Sequence, residues 1–136
     1  MAGYSGTPLP KKLGIKEGST VAFSGAPPEF EAALGPLPDA VTVKRRPGAP
    51  LDVAVAFFTR RVRLERRLPA LARAIHPDGG LWIAWPKRSA KIEGDLTFEA
   101  VQEVGLAHGL VDNKSCSIDD RWQALRFVYR LTDRTT

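Results

Sequence analysis

Two almost unbroken apolar runs on either side of an arginine-rich segment constrain the fold more than any other feature of the chain. The runs are residues 51–58 and 81–85. Neither alternates between polar and apolar side chains, which is typical of strands whose two faces are both buried in a parallel sheet. Between them, aliphatic side chains recur on one helix face, at Leu64, Leu68, Leu71 and Ile75. The stretch therefore predicts a strand, a helix and a second strand, with the strands adjacent in the sheet centre.

The remaining pattern places further strands and helices around this unit. It predicts strands at 20–24, 41–44, 110–117 and within 125–131, with helices at 28–34 and from an N-cap at Thr97 to about His108. Pro69 should kink or restart the central helix. We expect an α/β fold of three layers, with a Rossmann-like, doubly wound, mostly parallel sheet of about six strands in the order 2-1-3-4-6-5 that ends in an antiparallel hairpin.

The length of 136 residues suits one domain, which we place at residues 19–133, with an N-terminal arm at 1–18 and a tail at 134–136. Leu9, Leu13 and Ile15 are the only sizeable aliphatic side chains of the arm, which should contain a short helix ending near Gly14. Whether the arm contacts the domain is left open. Only residues 45–51 join the second and third strands, whereas parallel strands normally need a crossover of a dozen or more residues. The link must be taut, or the second strand is misassigned or antiparallel.

Composition excludes several classes of protein. The longest apolar run is far below the ~20 residues of a membrane-spanning helix, and no export signal is recognisable at the N-terminus, so we expect a cytoplasmic protein without membrane contact. The single cysteine, Cys116, cannot form an internal disulfide or a thiolate metal site, and we expect it in the core. A net charge of +5 favours anionic partners.

Basic residues follow three of the predicted parallel strands, whose carboxyl ends meet at the edge where doubly wound folds bind ligands. A helix N-terminus after the third strand would add partial positive charge there. We therefore expect a phosphate-bearing ligand, a nucleotide or a nucleic acid, near Gly25 and Thr59, with Trp85 or Phe58 as a stacking surface. The predicted binding residues are Gly25, Ala26, Lys44, Arg45, Arg46, Thr59, Arg60, Lys87 and Arg88. The alternative is a solvated charged rim with buried aromatic side chains.

No catalytic residue or metal ligand is predicted. His76 and His108 each fall at the C-terminus of a predicted helix, where an imidazole suits the negative end of the dipole. Ser24 is not in a nucleophile elbow. Asp52 begins the third strand, at the edge opposite the expected ligand, and Asp119 falls in the predicted hairpin turn.

The order of elements resembles a class I methyltransferase with its middle removed. This resemblance is carried by residues 51–53, by the passage 71–81 with its turn at 76–80, and by the hairpin residues 125–127. It covers the larger part of the chain. It implies S-adenosylmethionine as a cofactor, held by Gly25, by Asp39 or a neighbouring group, and by the end of the third strand. Such a site needs a glycine-rich turn after the first strand and an acid after the second. Here the turn at 24–28 has one glycine and two prolines, and the basic run 44–46 occupies the acid position, so the cofactor stays unassigned.

The sequence also resembles a family of short bacterial proteins catalogued as a domain of unknown function. The matching segments are residues 4–9, 11–15, 25–27, 111–114 and 125–131. This resemblance implies no activity.

A third functional alternative is an interaction module. A partner would cover Trp85, Trp122 or the exposed edge of the fifth strand, where Asp112, Asn113 and Lys114 serve as polar guards. The residues do not determine the oligomeric state.

Overall fold

The computed structural model describes residues 6–46, 48 and 50–134, which form one six-stranded sheet with helices on both faces. The elements in chain order are α1 (Leu9–Lys12), β1 (Thr20–Ser24), α2 (Phe30–Leu34), β2 (Thr42–Lys44), β3 (Val53–Phe57), α3 (Arg61–Ile75), β4 (Gly80–Pro86), α4 (Phe98–Ala107), β5 (Leu110–Ser117) and β6 (Trp122–Tyr129). Short 3-10 turns lie at Arg88–Ala90 and Leu131–Asp133.

The predicted strand order is confirmed, because the strands lie in the order β2-β1-β3-β4-β6-β5. The first four are parallel, whereas β6 runs antiparallel to both β4 and β5. Because β2 is parallel to β1, the short link after β2 returns the chain over β1. The alternative prediction of an antiparallel β2 is therefore wrong. In the register Lys44 lies opposite Ala22, so β2 ends two residues before β1 ends at Ser24. This reduces the distance that the link must span.

Both faces of the central strands are buried, as the two apolar runs predict. One core cluster lies between the sheet and α3 with α4, and a second lies under α1 and α2. All five residues of β3 and the first six residues of β4 are buried. None of the helices in the described ranges is long and apolar enough to span a bilayer.

The arm lies against the domain through α1. Leu9, Leu13 and Ile15 are all buried in the second core cluster. The indole Nε1 of Trp82 on β4 donates a hydrogen bond to the carbonyl oxygen of Leu13 at 2.9 Å. The three aliphatic side chains of the arm are thus part of the core.

The helix α3 runs without a break through Pro69, so the predicted restart is wrong. Proline removes the N–H that would bind the carbonyl of Glu65. The buried face nevertheless keeps helical register, because Leu64, Leu68, Leu71 and Ile75 are each at most 1% exposed. Packing of an amphipathic face contributes more to helix stability in proteins than the propensity of one residue.

Other boundaries shift modestly. The second helix begins at Phe30, after a turn at residues 28–29, because the Pro27–Pro28 pair is used in the turn and not in the helix. The last strand occupies Trp122–Tyr129, beginning earlier than predicted from the alternation that starts at Leu125.

Candidate functional site

The carboxyl ends of β1 and β3 form a first cleft with a volume of about 310 Å³. Its lining combines a backbone turn, an aromatic wall and two cations. The lining residues are Ser24, Gly25, Phe57, Phe58, Thr59, Arg63, Arg67 and Trp122. The structure thus brings Gly25 and Thr59 together at one edge of the sheet, and no carboxylate is among the described residues that line this cleft.

Gly25 allows the end of β1 to approach β3 closely. Its φ of +68° lies in the left-handed region, and a Cβ there would come within 3.1 Å of the Phe57 carbonyl oxygen. A larger residue would be strained and would push against the backbone of β3. Glycine therefore keeps the mouth of the first cleft narrow and lined by backbone.

The two cations of the first cleft come from successive turns of α3. Arg63 and Arg67 are four residues apart and so share a helix face. The guanidinium of Arg67 donates to the Ser24 hydroxyl at 3.3 Å. Neither arginine forms a salt bridge with any residue in the described part of the chain. Neither arginine was among the binding residues predicted from the sequence. Their short distance in sequence from the end of β3 could have indicated that they lie near the carboxyl edge.

The first two arginines after β3 are neutralised by acidic side chains. Arg60 lies 3.6 Å from a carboxylate oxygen of Glu93, and Arg61 lies 3.3 Å from one of Glu103. These pairs are exposed, so each adds little stability. They still lower the local positive charge that the sequence led us to expect from Arg60.

The N-terminus of α3 is also occupied by a carboxylate. Oδ1 of Asp95 accepts a hydrogen bond from the backbone N–H of Arg61 at 2.7 Å, and the N–H of Asp95 donates to the Thr59 carbonyl at 3.0 Å. Gly94 lies so close to Thr59 that a Cβ would clash with the Thr59 carbonyl oxygen. The expectation that this helix end offers its amides to an anion is therefore wrong for the Arg61 amide.

A second cleft of about 500 Å³ follows β4, and Lys87 and Arg88 line this cleft instead of the first. The Nζ of Lys87 donates to the Ser117 hydroxyl at 2.6 Å. Asp95 and Glu99 also line the second cleft, so its charges are mixed.

The remaining predicted residues lie outside both clefts. Ala26, Arg45 and Arg46 are exposed and, like the half-buried Lys44, line neither cleft. Because β2 ends level with Ala22, its basic run begins below the carboxyl ends of β1 and β3.

The aromatic side chains at this edge are largely buried, as the alternative interpretation predicts. Trp85 is 2% exposed, Phe58 8% and Trp122 7%. The expectation that Trp85 offers an open stacking face, or that a partner covers Trp85 or Trp122, is therefore wrong. Trp122 packs edge-on against Phe57, and its buried indole N–H has no hydrogen-bond partner among the described residues. Phe98, by contrast, is 41% exposed beside Trp85.

The other polar candidates have structural roles. His76 and His108 are the C-terminal residues flanking α3 and α4, at the amino edge of β4 and away from both clefts. Oδ2 of Asp52 accepts from the Thr20 N–H at 2.8 Å, and Oδ1 of Asp119 accepts from the N–H groups of residues 121 and 122 in the hairpin turn. The described ranges contain no cluster of three or more His, Cys, Asp or Glu side chains that could hold a metal ion.

Solved structures that superimpose on this chain include several methyltransferases. A SAM-dependent methyltransferase from Aquifex aeolicus superimposes with a TM-score of 0.59 at 18% identity, over 86% of this chain and 85% of that one. Magnesium protoporphyrin IX methyltransferase from Synechocystis, with bound SAM, gives 0.57 at 9% identity over 90% and 74% of the two chains. Fibrillarin from Aeropyrum pernix, with natively bound S-adenosyl-L-methionine, gives 0.54 at 13% identity over 90% and 69%. The fold is that of the class I methyltransferases.

No protein-family model matches the chain, and no curated protein matches it. The resemblance to a family of short bacterial proteins stays a prediction. At these identities, the structural neighbours show the fold and not the activity.

Proposed function

We propose that the protein binds a small phosphate-bearing ligand of the mononucleotide class in the first cleft and does so without catalysing a reaction. The observation that carries the proposal is the pairing of Arg63 and Arg67 with a glycine turn, in a cleft with no carboxylate among its described lining residues. Guanidinium groups recognise phosphate by charge-assisted hydrogen bonds. The volume of about 310 Å³ suits a small ligand better than a nucleic-acid strand.

The same residues do not fit S-adenosylmethionine well. Its sulfonium is a cation, whereas the described charged residues of the first cleft are both arginines. The strand end that would supply an acid for ribose hydroxyls carries Lys44 instead. The close approach of the β1 backbone to β3 at Gly25 is the one feature of the first cleft that suits both a nucleotide and S-adenosylmethionine.

Binding without catalysis is supported by the set of side chains at the carboxyl edge. The first cleft has a serine and a threonine but neither a histidine nor a carboxylate to act as a general base among its described residues. A phosphate would be held by Arg63 and Arg67, with the Ser24 hydroxyl released from Arg67 to contact the ligand.

The test is isothermal titration calorimetry with AMP, ATP, S-adenosylmethionine and S-adenosylhomocysteine. We expect saturable binding of a nucleotide at one site. Replacing both cleft arginines, Arg63→Gln with Arg67→Gln, should weaken that binding at least about tenfold, because each charge-assisted hydrogen bond is worth roughly 1.5–3 kcal/mol. The matched control combines Arg66→Gln with Arg73→Gln, which removes two charges from positions of the same helix that do not line the first cleft.

Two results would contradict the proposal. Equal loss in the control that combines Arg66→Gln with Arg73→Gln would mean that net charge, and not the first cleft, determines binding. Heat with S-adenosylmethionine or S-adenosylhomocysteine but with neither nucleotide would favour the second candidate, a reduced methyltransferase. The fold of the neighbours supports that candidate, and transfer of a labelled methyl group would then be measured.

A further inference from the structure

Two cations lie directly opposite each other on the β5–β6 hairpin, away from both clefts. In the sheet register Lys114 is the partner of Arg126, and directly opposed residues of antiparallel strands share a face. Both lie on the face that α1 covers, since the neighbouring pair, Cys116 and Ala124, belongs to the core cluster under α1. Like charges in this position destabilise a hairpin, so the fold gives no reason for the pair.

The guanidinium of Arg126 is half-buried without a carboxylate partner. It lies over Gly80, where a Cβ would come within 2.5 Å of Nε, and its Nη1 donates a 3.3 Å hydrogen bond to Oδ1 of Asn113. Burial lowers the pKa of Arg126, and the nearby Arg134 lowers that pKa further. A buried charge is normally paired, whereas Arg126 has no salt bridge in the described part of the chain and is affected by the like charge of Arg134.

A lysine of the arm adds to the same face. Lys12 lies on α1, whose Leu9 packs in the same core cluster as Cys116. Burial raises the pKa of the Cys116 thiol, while Lys12, Lys114 and Lys87 act against that rise. We name Lys12, Lys114, Arg126 and Arg134 the hairpin patch. None of the four forms a salt bridge within the described part of the chain.

From this geometry we infer that the hairpin patch binds the phosphate backbone of a nucleic acid. The four cations come from α1, β5, β6 and the segment after β6, and none of them lines either cleft. Positive charges spread over several elements suit a polyanion with regularly spaced charges. The repulsion between Lys114 and Arg126 and the burial of the Arg126 charge both lower the stability of the fold. Phosphates bound between the two side chains would offset this loss.

A nucleic acid fits this surface better than an anionic membrane does. Peripheral membrane binding combines basic residues with apolar side chains that insert into the lipid. None of the hairpin patch residues is apolar. Of the large exposed apolar side chains in the described ranges, Val43, Val62, Phe98 and Leu106 lie on other elements, and Leu131 is the single one on a segment that also carries a patch residue, Arg134. Asn113, which is exposed on β5 and contacts the Arg126 guanidinium, can add hydrogen bonds to sugar or phosphate.

The test is fluorescence anisotropy of the full chain with labelled single-stranded RNA and duplex DNA of mixed sequence over a series of salt concentrations. We expect affinity that falls with salt, and a log-log slope reduced by about two units when Lys12→Gln and Lys114→Gln are combined. The control, Arg66→Gln with Arg73→Gln, removes the same charge from α3 on the opposite face of the sheet and should keep the slope.

A second variant separates binding from folding. Lys114→Glu places opposite charges across the hairpin, so its melting temperature should rise while its affinity for nucleic acid falls below that of Lys114→Gln. A fall in both quantities would overturn the inference, because the loss of binding would then follow from the fold.

Three other results would also overturn it: no salt-dependent binding by the wild type, an equal loss in the α3 control, or co-sedimentation with phosphatidylserine vesicles without binding of nucleic acid. Nucleotide binding in the first cleft is measured separately, so either proposal can fail without the other.

Discussion

At the scale of single residues, two buried tryptophans differ in what their indole N–H groups contact. Trp82 donates to the Leu13 carbonyl, whereas Trp122 has no partner among the described residues. Replacing each by phenylalanine removes a similar volume, but only Trp82→Phe leaves a buried carbonyl unsatisfied. We expect Trp82→Phe to lower the free energy of unfolding by about 1–3 kcal/mol more than Trp122→Phe does.

Chemical denaturation of both variants measures this difference, and hydrogen exchange of residues 9–15 shows whether the arm loosens in Trp82→Phe alone. Equal losses in the two variants would mean that the hydrogen bond to Leu13 contributes nothing beyond packing.

The residue types predicted that the carboxyl edge of the sheet is basic. They did not predict which of its basic residues form salt bridges. Arg60 and Arg63 look equivalent in the sequence, yet Arg60 pairs with Glu93 while Arg63 lines the first cleft. The acidic partner lies more than thirty residues along the chain, in a loop whose path depends on tertiary packing. Sequence periodicity carries no information about such a contact.

At the scale of elements, α3 depends on a cap from outside itself. Arg60 precedes the helix with no side-chain cap, and Oδ1 of Asp95 accepts from the Arg61 N–H in its place. We expect Asp95→Ala to destabilise the protein by about 1–2 kcal/mol, the usual range for loss of an N-cap acceptor. Urea denaturation gives the value.

Two matched variants test the assignment. Asp95→Asn keeps an acceptor oxygen and should lose much less stability than Asp95→Ala. Glu93→Ala removes a neighbouring carboxylate whose side chain is 91% exposed, and its stability should stay close to that of the wild type. A loss in Glu93→Ala as large as in Asp95→Ala would indicate a general charge effect on the helix dipole.

The elements themselves were predictable to the extent that local patterns determine them. The bounds of β1 and β5 agree with the prediction, as does the N-cap at Thr97, whose Oγ1 accepts from the Ala100 N–H at 3.1 Å. The restart wrongly predicted at Pro69 has the opposite origin: a local rule was overridden by four buried side chains that are spaced along the whole helix.

At the scale of the whole molecule, the strand order followed from general rules of chain connection. Right-handed crossovers and the rule that hairpin-linked strands pair leave few arrangements for this sequence of elements. These rules could not predict how deeply each side chain at the carboxyl edge is buried. The edge aromatic Trp85 is buried because α4 packs over it, and that packing depends on residues far apart in the chain.

The burial pattern predicts how the whole molecule opens. Both faces of β3 and β4 are covered and each strand has a neighbour on both sides, whereas β2 is a three-residue edge strand with two exposed residues. Local opening needs least free energy where few buried contacts are lost. Amide hydrogen exchange followed by mass spectrometry should therefore be fastest in residues 42–44 and slowest in β3 and β4.

The other edge strand, β5, is a control, because it is longer and pairs with β6 over its length, so it should exchange at an intermediate rate. Protection of β2 equal to that of β3 would mean that the β2 edge is covered in solution, for example by a second copy of the chain, and measurement at several protein concentrations would detect such a copy.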